Sequence, residues 1–226
     1  MFHVKHFMFT LDRVGCLRYG SHMTQLTTSR MQNVSRETFS PLADYVALLL
    51  KWNKSINLIG PATESDIWTR HIEDSAQLVA LIPSSATSLV DLGSGAGLPG
   101  LVIAIMRPDV KVTLVEQDQR KAAFLNEAKR TLGLSHVTVA ATNIAKVTAR
   151  FDVVTARALA PLSELLAMAK PIMEEGAICL FPKGANHANE LVEAAQTWRF
   201  DYTLTPSKTN ADSALISLSN LNSITQ

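Results

Sequence analysis

Apolar residues recur at helical spacing in the first part of this chain and as short separated runs in the rest. They fall at Leu42, Tyr45, Val46, Leu49, Leu50 and Trp52, mostly the three-and-four spacing of one helical face. Ser35 stands ahead of that face as an N-cap, with Thr38 and Phe39 following. Residues 52–61 leave the helix, and the pattern predicts a second amphipathic helix over 64–81, ended by Pro83. Beyond it, strands are expected at 88–92, 110–116, 136–140, 151–156, 177–182, 201–206 and 214–218. Helices are expected at 98–106, 119–132, near 144–148, at 161–173 and at 186–197. That alternation predicts an α/β fold with a doubly wound parallel sheet. The sixth and seventh strands are too close for a helix, so Thr209-Asn210-Ala211-Asp212 predicts a hairpin and one antiparallel strand.

The first of these strands runs into Asp91-Leu92-Gly93-Ser94-Gly95-Ala96-Gly97-Leu98-Pro99-Gly100. A buried strand that ends in close-set glycines and restarts as a helix opens a nucleotide-binding βαβ unit. The string satisfies two fingerprints. From Gly95 it reads Gly-x-Gly-x-x-Gly, with Glu116 21 residues on, where a dinucleotide's ribose-binding acid belongs. From Gly93 it reads Asp-x-Gly-x-Gly-x-Gly, a form found in enzymes that use S-adenosylmethionine (SAM). Asp91 favours SAM, because a carboxylate repels a pyrophosphate and suits a sulfonium and an ammonium. Seven strands with one antiparallel strand favour it too, as the methyltransferase arrangement; dinucleotide folds have six parallel strands.

Composition adds bounds more than chemistry. The 226 residues are 47% hydrophobic and 18% charged, which is globular and suits one sizeable domain. Residues 1–33 differ, with Asp12 as the single acid against Lys5, Arg13, Arg18 and Arg30. They read as a disordered extension, a transit peptide, or upstream DNA translated ahead of a true start at Met23 or Met31. Residues 34–83 then form an N-terminal helical segment packed on the core, and 84–226 the SAM-binding domain. A net charge of +1 and a pI near 7.8 confine any nucleic-acid contact to a local face. Cys16 and Cys179 have neither metal-ligand nor disulfide spacing, which points to a reducing compartment without a metal. No apolar run reaches the length of a membrane span.

Ligand sites in such sheets lie at the carboxyl ends of the strands. The second strand ends at Glu116, whose carboxylate suits both hydroxyls of an adenosine ribose. The third leads to Thr142-Asn143-Ile144-Ala145, able to flank an adenine or to serve as a plain loop. The fourth ends at Arg157 before Pro161; a charge so placed must be paired or face a cavity. A SAM carboxylate, Asp91, an RNA phosphate and a structural salt bridge are all open partners. Asp152 reads as a cap at the strand's start. Lys183-Gly184 follows the fifth strand on the same rim, as a phosphate or base contact or a solvated turn. No triad, metal cluster or carboxylate dyad is legible, and methyl transfer to a ring nitrogen with a free lone pair needs none.

The ordered motifs together resemble one family. The glycine loop, Arg107-Pro108, Arg120-Lys121-x-x-Phe124-Leu125, Thr155-Ala156-Arg157-Ala158 and Lys183-Gly184 are similar to the bacterial 16S rRNA guanine-N7 methyltransferases of the glucose-inhibited division protein B type. Trp52-Asn53-Lys54-x-Ile56-Asn57-Leu58 and Arg70-His71-Ile72-x-Asp74-Ser75 match as well, so the resemblance spans roughly 38–220. It implies a class I SAM-dependent methyltransferase with a Rossmann-like sheet, preceded by N-terminal helices and acting on a guanine in the 530 loop of 16S rRNA. SAM contacts carried over by position are Gly93, Leu98, Ile144, Ala145 and Arg157, with Glu116 on the ribose; the strand-end reading adds Asp91 and Gly95 of the Asp91–Gly97 loop. Many members carry an acid where Ala145 stands, so here any contact is through backbone or packing. The resemblance also puts Arg70, His71 and Asp74 beside the pocket, and Lys51, Lys54, Arg120, Lys121, Lys129, Arg130 and Lys183 within reach of RNA. Arg157 and Lys183 are expected to position substrate, with no acid–base catalyst. The expected setting is a cytoplasmic monomer acting on rRNA or a small-subunit particle. A SAM methyltransferase for another RNA or small molecule, and a non-catalytic SAM-binding module, are the alternatives.

Overall fold

Ser35 caps the first helix as its position suggests: its hydroxyl accepts the Thr38 N–H at 3.3 Å. The computed structural model describes residues 35–224; the readings of residues 1–33, of Cys16 and of the start at Met23 or Met31 lie outside them. Helix α1 (Arg36–Asn53) buries Leu42, Tyr45, Val46 and Leu49, the stripe that its spacing predicts.

The regular helix expected over 64–81 is not there. One α-helical turn spans Pro61–Glu64, then come a wide π-type turn at Trp68–Glu73, a single α turn at Asp74–Ala76 and a tight 3₁₀ stretch at Gln77–Leu81. Periodicity cannot reveal this, because the turns are set by distant partners. His71 bonds Arg157 and Asp74 bonds Thr209, 86 and 135 positions away. Such turns concentrate at functional sites.

The α/β core follows. Strand β1 (Ser88–Leu92) leads to α2 (Gly100–Met106), β2 (Lys111–Val115) to α3 (Gln119–Thr131), and β3 (Val137–Ala140) through a 3₁₀ turn at Ile144–Lys146 to β4 (Phe151–Ala156). Then come α4 (Leu162–Ala169), β5 (Met173–Lys183), α5 (His187–Ala194), β6 (Trp198–Pro206) and β7 (Ala214–Ser223). The sheet order is β3-β2-β1-β4-β5-β7-β6, with β7 antiparallel to both neighbours and the other pairs parallel. Seven strands with one reversed is the expected arrangement. Strand β1 is covered on both faces, with Leu89, Val90, Asp91 and Leu92 all buried. Asp152 braces its start: one carboxylate oxygen accepts the N–H groups of Thr87 and Ser88 at 2.8 and 2.9 Å.

Boundaries moved where polar residues interrupt the apolar pattern. Strand β5 begins at Met173, ahead of exposed Glu174 and Glu175; there the pairing with β4 shifts register and Gly176 has φ +75°. Helix α2 starts at Gly100 with Pro99 as its cap residue, so Pro99 precedes the first turn. Among the described residues no helix is long and apolar enough to cross a membrane, and no group of three His, Cys, Asp or Glu side chains could hold a metal ion. Cys179 is a free thiol; burial raises its pKa to about 12.

Candidate functional site

Strand order reverses between β1 and β4, the place where parallel sheets open a crevice for ligands. On the β1 side the loop of residues 93–100 is pinned from three directions. Ser94 donates its N–H to the Val115 carbonyl at 3.0 Å. The buried Tyr45 hydroxyl of α1 donates to the Ala96 carbonyl at 2.6 Å. Glu116 accepts the Gly95 N–H at 2.8 Å with one oxygen and the Asp118 N–H at 2.8 Å with the other. Gly93 has φ +64°, and a Cβ there would come within 2.7 Å of Leu159 Cδ1, so only glycine suits the position. Gly100 serves a different need: a Cβ would fall 2.4 Å from Leu114 Cδ2 and 2.7 Å from Asp91 Oδ2. Its bare Cα lets α2 press onto the sheet.

Asp91 does not face a ligand as its place in the motif suggests. It is fully buried, turned under the loop, where Oδ2 accepts the Gly100 N–H at 3.2 Å. The cause is the start of α2, whose free N–H groups attract a carboxylate more directly than a solvent-facing ligand can. Its other oxygen has no hydrogen-bond partner among the described residues. Burial, the dominant effect, raises its pKa to about 7.

On the β4 side Arg157 settles among the open partners on Asp74, not Asp91. Its guanidinium lies 3.4 Å from Asp74 Oδ2 and 3.1 Å from His71 Nδ1, and donates to the Arg70 carbonyl at 3.3 Å. A guanidinium only donates, so His71 Nδ1 is an acceptor and Nε2 carries the proton; Nε2–H donates to Thr63 Oγ1 at 2.8 Å. Burial first, then the Arg157 charge, depresses the His71 pKa to about 4. Asp74 Oδ1 accepts the Thr209 hydroxyl at 2.9 Å, and Gln77 accepts the Lys208 N–H at 2.6 Å. These bonds dock the β6–β7 turn against the Trp68–Leu81 segment.

Lys183 is paired too, and is not a free phosphate contact. Its Nζ donates to Glu190 Oε2 at 2.7 Å and to the Ala160 carbonyl at 2.8 Å. The same Glu190 oxygen accepts the Leu162 N–H at 2.8 Å, capping α4. Between these two ion pairs a cleft of about 720 Å³ opens, walled by Arg70, Arg157, Leu159, Pro182 and the β6–β7 turn at Ser207 and Asn210.

Other expected contacts are spread around this centre. Leu98 is buried, 3% exposed. Ile144 packs partly on the core, and Ala145 is exposed with its N–H on Asn143 Oδ1 at 2.9 Å. Arg120 is exposed on α3, 3.7 Å from Asp118, and Lys121 is half-buried beside it. Arg130 is held by Glu127 at 2.8 Å. Sequence reasoning passed over Tyr45, Thr63, Gln77, Leu159, Glu190 and Thr209. A tyrosine set among leucines on an apolar face was the one signal available, since a buried hydroxyl needs a partner; the others act through pairings far apart in sequence.

The cradle fits SAM. Gly93 and Gly95 leave backbone unshielded by Cβ, and Glu116 closes the cradle from the end of β2. Fold and cradle together define a class I SAM-dependent methyltransferase. A ribosomal protein L11 methylase from Lactobacillus delbrueckii subsp. bulgaricus is 16% identical with a TM-score of 0.53, covering 64% of this chain and 76% of its own. The glycopeptide N-methyltransferase MtfA complexed with SAM is 11% identical with a TM-score of 0.56, over 66% of this chain and 93% of its own. Such identities establish the fold alone. The family is established by sequence: the GidB family, rRNA small subunit methyltransferase G, matches residues 39–218, and this chain belongs to it. Ribosomal RNA small subunit methyltransferase G of Rhodospirillum centenum is 50% identical over 189 residues, 83% of this chain and 87% of the relative. That of Cereibacter sphaeroides strain ATCC 17029 is 45% identical over 200 residues, 87% and 97%.

Proposed function

We propose that this chain transfers the methyl group of SAM to N7 of a guanine in the 530 loop of 16S rRNA. The observation that carries the reading is the cleft of about 720 Å³ at the carboxyl ends of β4 and β5, which meets the glycine cradle at Leu159, within a chain of this family. When bound, SAM supplies a methyl group on a sulfonium. Gly93 and Gly95 give it backbone to rest on, Glu116 accepts its ribose hydroxyls, and Leu98, Ile144 and Ala145 contribute backbone or packing. The carbonyl ends of β4 and β5 face the acceptor.

The chemistry asks little of the side chains. N7 carries a lone pair in the plane of the ring, so no proton is removed and no general base is needed. Alignment of nitrogen, methyl carbon and sulfur is worth several kcal/mol or more, and dipoles that accept the charge moving onto the purine add to it. A guanine in a loop is splayed or single-stranded, so it enters a cleft without melting a long duplex.

Cations and carboxylates mix in the cleft, which suits a nucleobase better than a phosphate track. Phosphates are left to Lys51, Lys54, Arg120, Lys121 and Lys129 outside it, with Arg70 at the mouth. Arg157 and Lys183 position the β4–α4 turn from below. The reading places the protein in the cytoplasm, as a monomer acting on rRNA or a small-subunit particle. The test is transfer of labelled methyl from SAM to 16S rRNA and to 30S particles, with the nucleoside mapped. Label in 7-methylguanosine of the 530 loop supports the reading. Label elsewhere moves the site, and tight SAM binding with no acceptor of any kind favours a binding module.

A further inference from the structure

The turn between β4 and α4 is held more tightly than a surface connection requires. Arg157 fixes its start through His71 and Asp74. Lys183 and Glu190 fix its end through the Ala160 carbonyl and the Leu162 N–H. Between the two clamps Ala158 has φ +51°, a left-handed conformation that costs an alanine on the order of 1 kcal/mol. Strain of this kind persists only where the surroundings over-determine it. What the clamps and the strain present is Leu159. The residue is 36% exposed, its side chain is the nearest neighbour a Cβ on Gly93 would meet, and it also lines the cleft. One leucine thus stands on the boundary between cradle and cleft.

We propose that Leu159 is the shared wall of the two sites, packing on the methyl donor from one side and on the acceptor purine from the other. The inference rests on the reading that the cleft takes the acceptor guanine. In the transfer, the N7 lone pair forms the new N–C bond as the methyl carbon's bond to sulfur breaks. The electron pair stays on sulfur, and the positive charge passes to the purine. N7 is a hydrogen-bond acceptor, so any donor beside it, water included, ties up the pair that must attack. Leucine has no donor and excludes water. It supports the ring and leaves the lone pair free.

Methionine and glutamine are both unbranched and close in size, and only glutamine donates hydrogen bonds, so they separate packing from lone-pair competition. Leu159→Met, Leu159→Ala and Leu159→Gln are each compared with the unmodified chain for SAM affinity by calorimetry, kcat and KM on 16S rRNA, and melting temperature. We expect SAM affinity within roughly threefold for Met and Gln and reduced roughly 3- to 10-fold for Ala, kcat for Met within roughly threefold, and kcat for Ala and Gln reduced roughly 10- to 100-fold. SAM affinity unchanged in Ala denies the contact with the methyl donor and overturns the shared wall. Gln as active as Met, or Ala as active as the unmodified chain, overturns the proposal. A loss of SAM affinity matching the loss of kcat also overturns it, since Leu159 then walls the cofactor alone. An unmodified chain that transfers no methyl to 16S rRNA refutes the functional reading, and this inference with it.

Discussion

The two walls of the crevice are built by different means. The β1 wall is made of backbone: glycines where side chains do not fit, N–H groups turned to Glu116 and Asp91, and one tyrosine hydroxyl on the Ala96 carbonyl. The β4 wall is made of side chains: Arg157 with Asp74 and His71, Lys183 with Glu190, and Gln77 and Thr209 joining the far turn. Backbone cradles suit a ligand of constant shape, because they are rigid and indifferent to what lies outside. Ion-paired walls can be re-aimed by a single substitution, which suits the side where acceptors differ between methyltransferases. Changes on the two walls therefore fail in different ways.

The largest effect is expected on the backbone wall. Gly93→Asp puts a side chain into a φ +64° position and a charge into the cradle, and should abolish SAM binding in calorimetry while the chain still folds by circular dichroism. Unchanged affinity rejects the cradle. The side-chain wall should behave in the opposite way. Asp74→Ala and Arg157→Ala should each lower kcat roughly 10- to 100-fold with SAM affinity changed less than the rate, because they release the turn rather than the cradle. Their double-mutant cycle should show a coupling of roughly 0.5–3 kcal/mol in stability. Additive effects break the claim that they act as one clamp. An unfolded Arg157→Ala supports a structural role for Arg157 instead.

Gly100→Ala is smaller and purely structural. A methyl group 2.4 Å from Leu114 should cost roughly 1–3 kcal/mol and lower the melting temperature by roughly 3–10 °C. An unshifted melting curve denies the tight packing of α2.

A pH dependence, smaller per unit of pH, separates the walls by sign. Unfolded, His71 takes a proton near 6.5; folded, it does so near 4, so its contribution to stability falls as pH drops through that window. Asp91 keeps its proton up to about 7 when folded and loses it near 3.8 unfolded, so its contribution falls as pH rises. The two oppose each other between pH 4 and 6.5. Asp91→Asn removes the second alone, and its stability should rise with pH more steeply than the original chain's, by up to about 1.4 kcal/mol per pH unit. Denaturant titrations across that range measure the slopes; equal slopes contradict a protonated Asp91.

The same division explains what could be read without coordinates. The cradle lies within ten consecutive residues plus Glu116, and glycines at fixed spacing state their own geometry, so it was legible. Ser35 and the reversed seventh strand were legible for the same reason: cap and hairpin are local. Asp152 was read as a cap on its own strand, but it braces Thr87 and Ser88, about 65 positions away. Asp91 was correctly placed in the motif and wrongly aimed, because strand alternation does not say whether a carboxylate prefers a ligand or the N-terminus of the next helix. The opposite wall was not legible. Arg157 and Asp74 are 83 positions apart and Thr209 and Asp74 are 135. Only the fold selects among the partners a buried arginine could take. The irregular turns over 61–81 were missed because those partners, not periodicity, decide them.

The central claim is that both walls serve one transfer, to N7 of a single guanine in 16S rRNA. It is tested most directly by nucleoside analysis of the 530 loop of 16S rRNA from otherwise identical cells with and without this protein. The account predicts 7-methylguanosine at one position that disappears with the protein and returns with the unmodified chain, but not with Gly93→Asp. The same nucleoside content in both strains contradicts it.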